Sequence, residues 1–281
     1  MAGRRELERR LRALADIGAI LGVMKNLALM ESGKLSRILV AQRVMVESLE
    51  ATATDFLTFY PQPDPGSVTP CEILLLLGSQ RGFCGDFNDL IITAAGGRQT
   101  VQKPLSIVVG DKLAGRLAGD ILLGGPHAVE EIGQVIHQVM DAVSTLLARA
   151  DGGHTLQLSA LCHDPDSGTV VLRSLAPLAP QSQPSVPSVI FPPHLNITPA
   201  AFFDQLAEQH LLAAITELFH RSLMAESRFR LNHIEGASRR MERRSTELKR
   251  KQALARQEEI IEEIEAILSG VGEPDDYLVG V

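Results

Sequence analysis

The sequence predicts an α/β protein in which a central α/β domain is inserted between two long terminal helices that pair as an antiparallel coiled coil. Three observations carry that prediction. Arg4 to Leu57 contains no proline and places apolar residues at helical spacing. Ala200 to Gly270 is bounded by Pro199 and Pro274 and is also free of proline. Between them, short continuous apolar runs alternate with helical patterns and turn signals, which is the pattern of an α/β layer. Helices at the two ends of one chain bury their apolar stripes most simply against each other, and the insertion lets them run antiparallel.

The N-terminal coiled-coil helix, residues 1–58, carries Leu7, Leu11, Leu14, Ile17, Leu21, Met24, Ala28, Leu35, Ile38, Met45 and Leu49 as its stripe. Gly18, Gly22 and Gly33 each cost about 1 kcal/mol against alanine in a helix interior, though small residues also let another helix approach closely. Tyr60 to Pro70 is a turn-rich boundary with Pro61, Pro63, Pro65 and Gly66.

The head domain, residues 70–195, then begins. Ile73 to Leu77 is a buried strand, Gly78 to Asn88 a glycine loop leading into a helix, and Leu105 to Val109 a second buried strand. Glu130 to Ala150 reads as a helix, and Leu156–Leu161 and Thr169–Leu175 as two strands joined across Asp164–Gly168. Strand and helix alternation makes the head Rossmann-like. A proline-rich return linker, residues 176–199, leads into the C-terminal coiled-coil helix, residues 200–270, and a tail, residues 271–281.

The C-terminal helix changes character along its length. At about 1.5 Å per residue it is on the order of 100 Å long, so it must lie against another helix, a partner or water. Phe202 to Met224 is richly apolar and should be buried on more than one side. From Ala225 to Arg256 the stripe thins to Leu231, Ile234, Met241, Leu248 and Ala255, alternating with Ser227, Ser238, Ser245 and Gln252, a coiled-coil seam with half its positions small or polar. The outside there is basic, from Arg228 and Arg230 through Arg239, Arg240, Arg243 and Arg244 to Arg256. Beyond Arg256, glutamates frame a last apolar set, Ile260, Ile261, Ile264, Ile267 and Leu268. A solvated coiled coil whose charges are only its wet face is the competing reading.

Composition narrows the function. The net charge is −7 over 281 residues, which argues against general nucleic-acid affinity despite the basic shaft. Three cysteines, Cys71, Cys84 and Cys162, lie far apart without metal-type spacing, and an odd count suits a reducing compartment. No uninterrupted run of 18 apolar residues occurs, so no membrane span is expected, and the arginine-rich N-terminus lacks a signal-peptide core. The loop Gly78–Asn88 has a position suited to phosphate but lacks the Lys-Ser/Thr of a P-loop and the G-x-G-x-x-G spacing, so a tight turn is favoured. Cys84 has no histidine nearby in sequence to act as base, and reads as a small buried side chain. The eight histidines are scattered without a zinc pattern. No catalytic, metal or cofactor site is expected.

The loop carries a resemblance. Gly82-Phe83-Cys84-Gly85-Asp86-Phe87-Asn88 after an apolar strand resembles the Ser-Asp-Arg/Lys-Gly-Leu-Cys-Gly-x-Phe/Leu-Asn run of the gamma subunits of F-type ATP synthases. Ser79, Arg81, Gly82, Cys84, Gly85 and Asn88 match, while Gln80 replaces the usual Asp and Phe83 the usual Leu. In the first helix Arg10, Leu11, Ile17, Ile20, Met24, Lys25 and Ala28 fit, and Gly22 and Val23 depart. In the last helix Arg230, Ala237, Arg239, Glu247, Leu248, Ala255, Arg256, Gln257, Ile260, Glu263 and Gly270 fall on matching positions. The family usually has Thr where Ile261 stands, an acid at Ala266 and Ala at Val271, and the tail runs past its usual end. Such departures are those of a divergent branch such as the alternative, sodium-linked ATPases.

The resemblance implies a non-catalytic central rotor shaft. It would stand in a ring of alpha and beta subunits, with the head on the membrane rotor ring of c subunits beside the epsilon subunit, at the cytoplasmic face of a bacterial inner membrane. It implies a partner interface at Met24, Lys25, Arg228, Arg239, Arg240, Arg243, Arg256, Gln257, Ile260 and Ile264, the basic members facing an acidic beta-subunit loop. It implies no bound nucleotide or other cofactor on this chain. Two other classes compete. A small α/β nucleotide-binding protein with helical arms would use the Gly78 loop, and a coiled-coil adaptor or nucleic-acid module would use the basic shaft.

Overall fold

A computed structural model of the chain describes residues 2–61, 70–98, 104–149, 155–178, 191–192 and 194–270. The tail at 271–281 and most of the two proline-rich stretches, including Pro63, Pro65, Pro180, Pro184 and Pro187, lie outside the described residues. The chain divides into two compact units, Leu27–His233 on the one hand and Met1–Asn26 with Ile234–Val281 on the other.

Helix α1 spans Ala2–Phe59 and helix α5 spans Pro199–Gly270. Thr198 starts α5: its hydroxyl accepts the Ala201 N–H at 3.3 Å, its carbonyl accepts the Phe202 N–H at 3.0 Å, and Pro199 fills the first helical position. In the smaller unit, the inward positions of α5 are Ile234, Ser238, Met241, Ser245, Leu248, Gln252 and Ala255, while Arg239, Arg240, Arg243 and Arg244 are exposed. The seam read from the sequence is therefore the row that is covered. Leu11, Leu14 and Gly18 of α1 and Ser238, Met241 and Ser245 of α5 line a groove of about 310 Å³ in this unit. Lys25 pairs with Glu235 at 2.9 Å.

The covered row of α1 differs from expectation at two places. Ile17 and Met45 are 47% and 48% exposed, and Gly18 and Val46 lie inward instead. The inward residues Leu7, Leu11, Leu14, Gly18, Leu21, Lys25, Ala28, Ser32, Leu35, Leu39, Gln42, Val46 and Leu49 step by four and three. That is a period of about 3.5, and a repeat of about 3.6 drifts off it by some 20° per heptad. Helix α1 also passes the length and composition test for a membrane span, contrary to expectation: an 18-residue window has mean hydropathy 1.5 with 11% of it buried. Its apolar outer residues, Ile20, Val23 and Met30 among them, are exposed rather than packed within this chain.

The larger unit holds a five-stranded sheet of order β3-β2-β1-β4-β5. The strands are β1 (Pro70–Leu77), β2 (Leu105–Val109), β3 (Ile121–Leu123), β4 (Thr155–His163) and β5 (Val170–Ala176). β1 pairs in parallel with β2 and β4, β2 in parallel with β3, and β5 closes the edge antiparallel to β4. Helices α2 (Phe87–Gly96), α3 (Asp111–Ala114) and α4 (Ile132–Arg149) complete it, with a single 3₁₀ turn at Val129–Glu131 leading into α4. β3 and α3 are the elements with no counterpart in the sequence reading. β1 reads as an unbroken apolar run because both faces are covered. Ile73, Leu75 and Leu77 pack with Val135, Val139 and Leu146 of α4, in a core that continues to Leu35 of α1 and Ile215, Leu218 and Phe219 of α5. Leu74 and Leu76 face the other way, onto Phe87 and Ile91 of α2 and Ala225 of α5.

Candidate functional site

Strand order reverses at β1, with β2 on one side and β4 on the other. In doubly wound sheets the crevice at the carboxyl ends of such strands is where ligands bind. Here that place is taken by the Gly78–Asn88 loop and by a side chain of α5. Both oxygens of Glu226 accept loop backbone donors, Oε2 from the Gln80 N–H and Oε1 from the Arg81 N–H, each at 3.3 Å. Glu226 is 4% exposed. A carboxylate of the chain itself thus occupies the donors that a phosphate would use.

Glu226 belongs to a cage of two carboxylates and two guanidiniums. Arg230, also 4% exposed, donates to Glu226 and at 3.4 Å to the Gly82 carbonyl. Arg81 donates to Glu31 of α1 at 2.8 Å and to the His127 carbonyl. Arg230 lies 3.9 Å from the other oxygen of Glu31. Burial pushes the Glu226 carboxyl up from its ordinary pKa, against the pull of Arg230 and of the two loop N–H groups.

The family-motif residues of the loop have separable jobs. Asn88 accepts the Ser79 N–H at 3.0 Å and donates to the Ser79 hydroxyl at 2.9 Å, closing the loop on itself. Gly85 has φ of 61°, a conformation that favours glycine, and His233 sits 3.4 Å from where a side chain would begin. Phe83 adopts φ of 64° despite its bulk, and is 55% exposed. Nothing in the structure explains Gly82, which has open space beside it. Cys84 is buried; desolvation, reinforced by the Glu226 charge, pushes its thiol up to about 11 against Arg230. A protonated, enclosed thiol is no nucleophile.

Gln80 is the hub on the sheet side. Its Oε1 accepts the N–H of Asp111 at 3.1 Å and of Gly125 at 2.6 Å, and its Nε2 donates to Asp111 Oδ2 at 2.7 Å. No base faces a nucleophile in this arrangement. Among the described residues no group of three or more His, Cys, Asp or Glu is placed to hold a metal ion.

The remaining candidate residues lie along the helices. Met24 and Lys25 are half-buried, and Lys25 is paired with Glu235. Arg228 donates to the Pro165 carbonyl and pairs with Asp166 at 3.1 Å. Arg239 is 74% exposed with Glu235 at 3.9 Å, and Arg240, Arg243, Arg256 and Gln257 are exposed. Arg230 is the member of the basic band that is not on the outside, because Glu226 one turn earlier takes it into the cage. Ile260 and Ile264 are 46% and 51% exposed. Sequence reasoning missed Glu226, Glu31 and Gln80. The one local signal was the i, i+4 spacing of Glu226 and Arg230.

No curated protein matches the chain in sequence. The rotor of the Euglena gracilis mitochondrial ATP synthase in rotational state 1 superposes with a TM-score of 0.60 at 14% identity, covering 92% of this chain and 99% of that one. A chain of the OSCP/F1/c-ring assembly of the same enzyme in rotational state 3 gives 0.59 at 14% identity, covering 100% and 99%. A chain of the central stalk and c-ring of the Tetrahymena thermophila mitochondrial ATP synthase gives 0.51 at 15% identity, covering 78% and 99%. At such identities these structures establish the fold. The ATP synthase family itself matches residues 3–272, and the chain therefore belongs to that family as a gamma subunit, the non-catalytic central rotor shaft.

Proposed function

We propose that this chain works as a rotating camshaft whose paired terminal helices, residues 1–58 and 200–270, form an antiparallel coiled coil in the bore of a ring of alpha and beta subunits. The head, residues 70–195, would rest on the membrane ring of c subunits with the epsilon subunit beside it. The chain is then peripheral to the membrane, at the cytoplasmic face of a bacterial inner membrane. The observation that carries this is the exposed apolar surface of both helices: Ile20, Val23 and Met30 on α1, and Ile260, Ile264 and Ile267 on α5. Contiguous exposed apolar surface marks a place for a partner.

Function follows from asymmetry. One shaft meets three beta subunits, so each meets a different face and is biased to a different conformation. Ion-driven rotation changes which face each one meets, and contact energy couples the two processes. The exposed arginines Arg239, Arg240 and Arg243 would face an acidic beta loop, with Lys25 nearby, while Ile260 and Ile264 would sit in an apolar collar. Arg256 and Gln257 lie between the two. The nucleotide-binding alternative is disfavoured because Glu226 fills the crevice that a nucleotide would need.

The triple substitution Arg239→Glu, Arg240→Glu and Arg243→Glu tests the charge pairing. Steered electrostatic contacts set register and association, so the variant should lower ATP-driven ion pumping or assembly of the complex. Unchanged pumping in an intact complex would contradict it.

A further inference from the structure

We propose that Glu226 and Arg230 form a latch that fixes the Gly78–Asn88 loop to α1 and α5, so that sheet and helices of this unit turn as one body under torque. The torque role rests on the rotor reading; the latch itself does not. Three segments distant in sequence meet at it: Glu31 on α1, the loop residues Gln80 to Cys84, and Glu226 with Arg230 on α5. The carboxylate and the guanidinium each hold the loop separately. Glu226 takes two loop N–H groups, and Arg230 takes the Gly82 carbonyl and lies 3.6 Å from the Cys84 sulfur.

A further observation points to a latch. Buried ion pairs contribute little net stability against an apolar replacement, but removing one partner is costly. The loop also holds Phe83 at a positive φ, a conformation that persists only where its surroundings over-determine it. Releasing the latch lets that residue relax and opens the loop. Cys84 lies 3.9 Å from Glu226 Oε1, while Cys162 is fully buried in the sheet core.

The two thiols give an internal control. The full-length chain is treated with a maleimide under native conditions, and labelling at Cys84 and Cys162 is followed by peptide mass spectrometry. Glu226→Gln should raise the Cys84 rate by about tenfold or more and leave Cys162 unchanged. Because losing the Glu226 charge also lowers the Cys84 pKa, local opening is read in parallel from hydrogen exchange of the Gly78–Asn88 amides. That exchange should quicken in Glu226→Gln, and unchanged exchange there would overturn the latch. Glu31→Gln, a milder change at the edge of the cage, should raise Cys84 by less; it serves if the first variant does not fold. Parallel rises at both thiols, or no rise at Cys84 in either variant, would overturn the latch. In the assembled complex Glu226→Gln should keep ATP hydrolysis while lowering ions pumped per ATP, with Glu226→Asp restoring part of the loss. An unchanged pumping ratio alongside an opened Cys84 would overturn the torque role. Failure of the chain to assemble with alpha and beta subunits in any form would count against the rotor reading, since the labelling result is obtained on the chain alone.

Discussion

Gln80 is 6% exposed and uses every polar atom of its side chain, so its amide cannot be replaced by a carboxylate without consequence. In Gln80→Glu the shape is kept. One oxygen still accepts the N–H groups of Asp111 and Gly125, but the other faces Asp111 Oδ2 where an N–H donated at 2.7 Å. Loss of a hydrogen bond to a charged group costs about 1.5–3 kcal/mol. Two carboxylates about 4 Å apart repel by about 4 kcal/mol at an effective dielectric of 20. Asp111 is exposed, so solvent and salt reduce that repulsion to about 1 kcal/mol. The expected loss is about 3 kcal/mol, read from urea denaturation of the purified chain at pH 7.5. Asp111→Asn in the same chain should return more than half of it, with a coupling energy above about 1.5 kcal/mol in the double-mutant cycle. The penalty should also shrink as pH falls, because a shared proton relieves the pair. A cost under about 0.5 kcal/mol, or a cost that Asp111→Asn leaves untouched, would refute the reasoning.

Three other outcomes are expected. Gly78→Ala places a Cβ 2.2 Å from that of Leu113, so the sheet unit should lose more than about 3 kcal/mol or fail to fold, which a thermal melt would register. Gly22→Ala and Gly33→Ala meet nothing within 4 Å, and each should stabilise α1 by about 0.5–1 kcal/mol; a fall in melting temperature would contradict this. His163 is fully buried between Phe87 and Phe229, with Nε2 2.8 Å from the Phe87 carbonyl; burial pulls its pKa down, against the backbone carbonyls that accept from it. A depressed histidine contributes stability that is full above its unfolded pKa of about 6.5 and is lost as pH falls through the folded value. Denaturation midpoints should therefore drop below about pH 6.5, and His163→Gln should flatten that slope; an unchanged slope would exclude the histidine as its source.

Much of the fold is legible because its signals are local. Leu105–Val109 is read with its observed bounds, since an apolar run between turns has one interpretation at that length. The inward row of α5 from Leu231 to Ala255 is legible because serine and glutamine alternate with leucine and methionine on a strict repeat. Ile17 is misread because Gly18, with no side chain to score, holds the seam position. β3 is missed because Ile121–Leu123 is too short to show a period. The Glu226 cage is invisible because its members come from three segments far apart in the sequence, and Glu226 in sequence is one more glutamate on a helix rich in them. The Gly78 loop reads in sequence as a tight turn because the P-loop residues are absent, but that α5 supplies an anion to its N–H groups is not legible there.

The central claim is tested most directly by co-expressing this chain with the alpha and beta subunits from the same source, then combining size-exclusion chromatography with an ATPase assay. The rotor reading expects one copy of the chain per alpha–beta hexamer, and ATPase activity that depends on its presence. A chain that elutes alone, beside a hexamer whose activity is indifferent to it, would contradict the account.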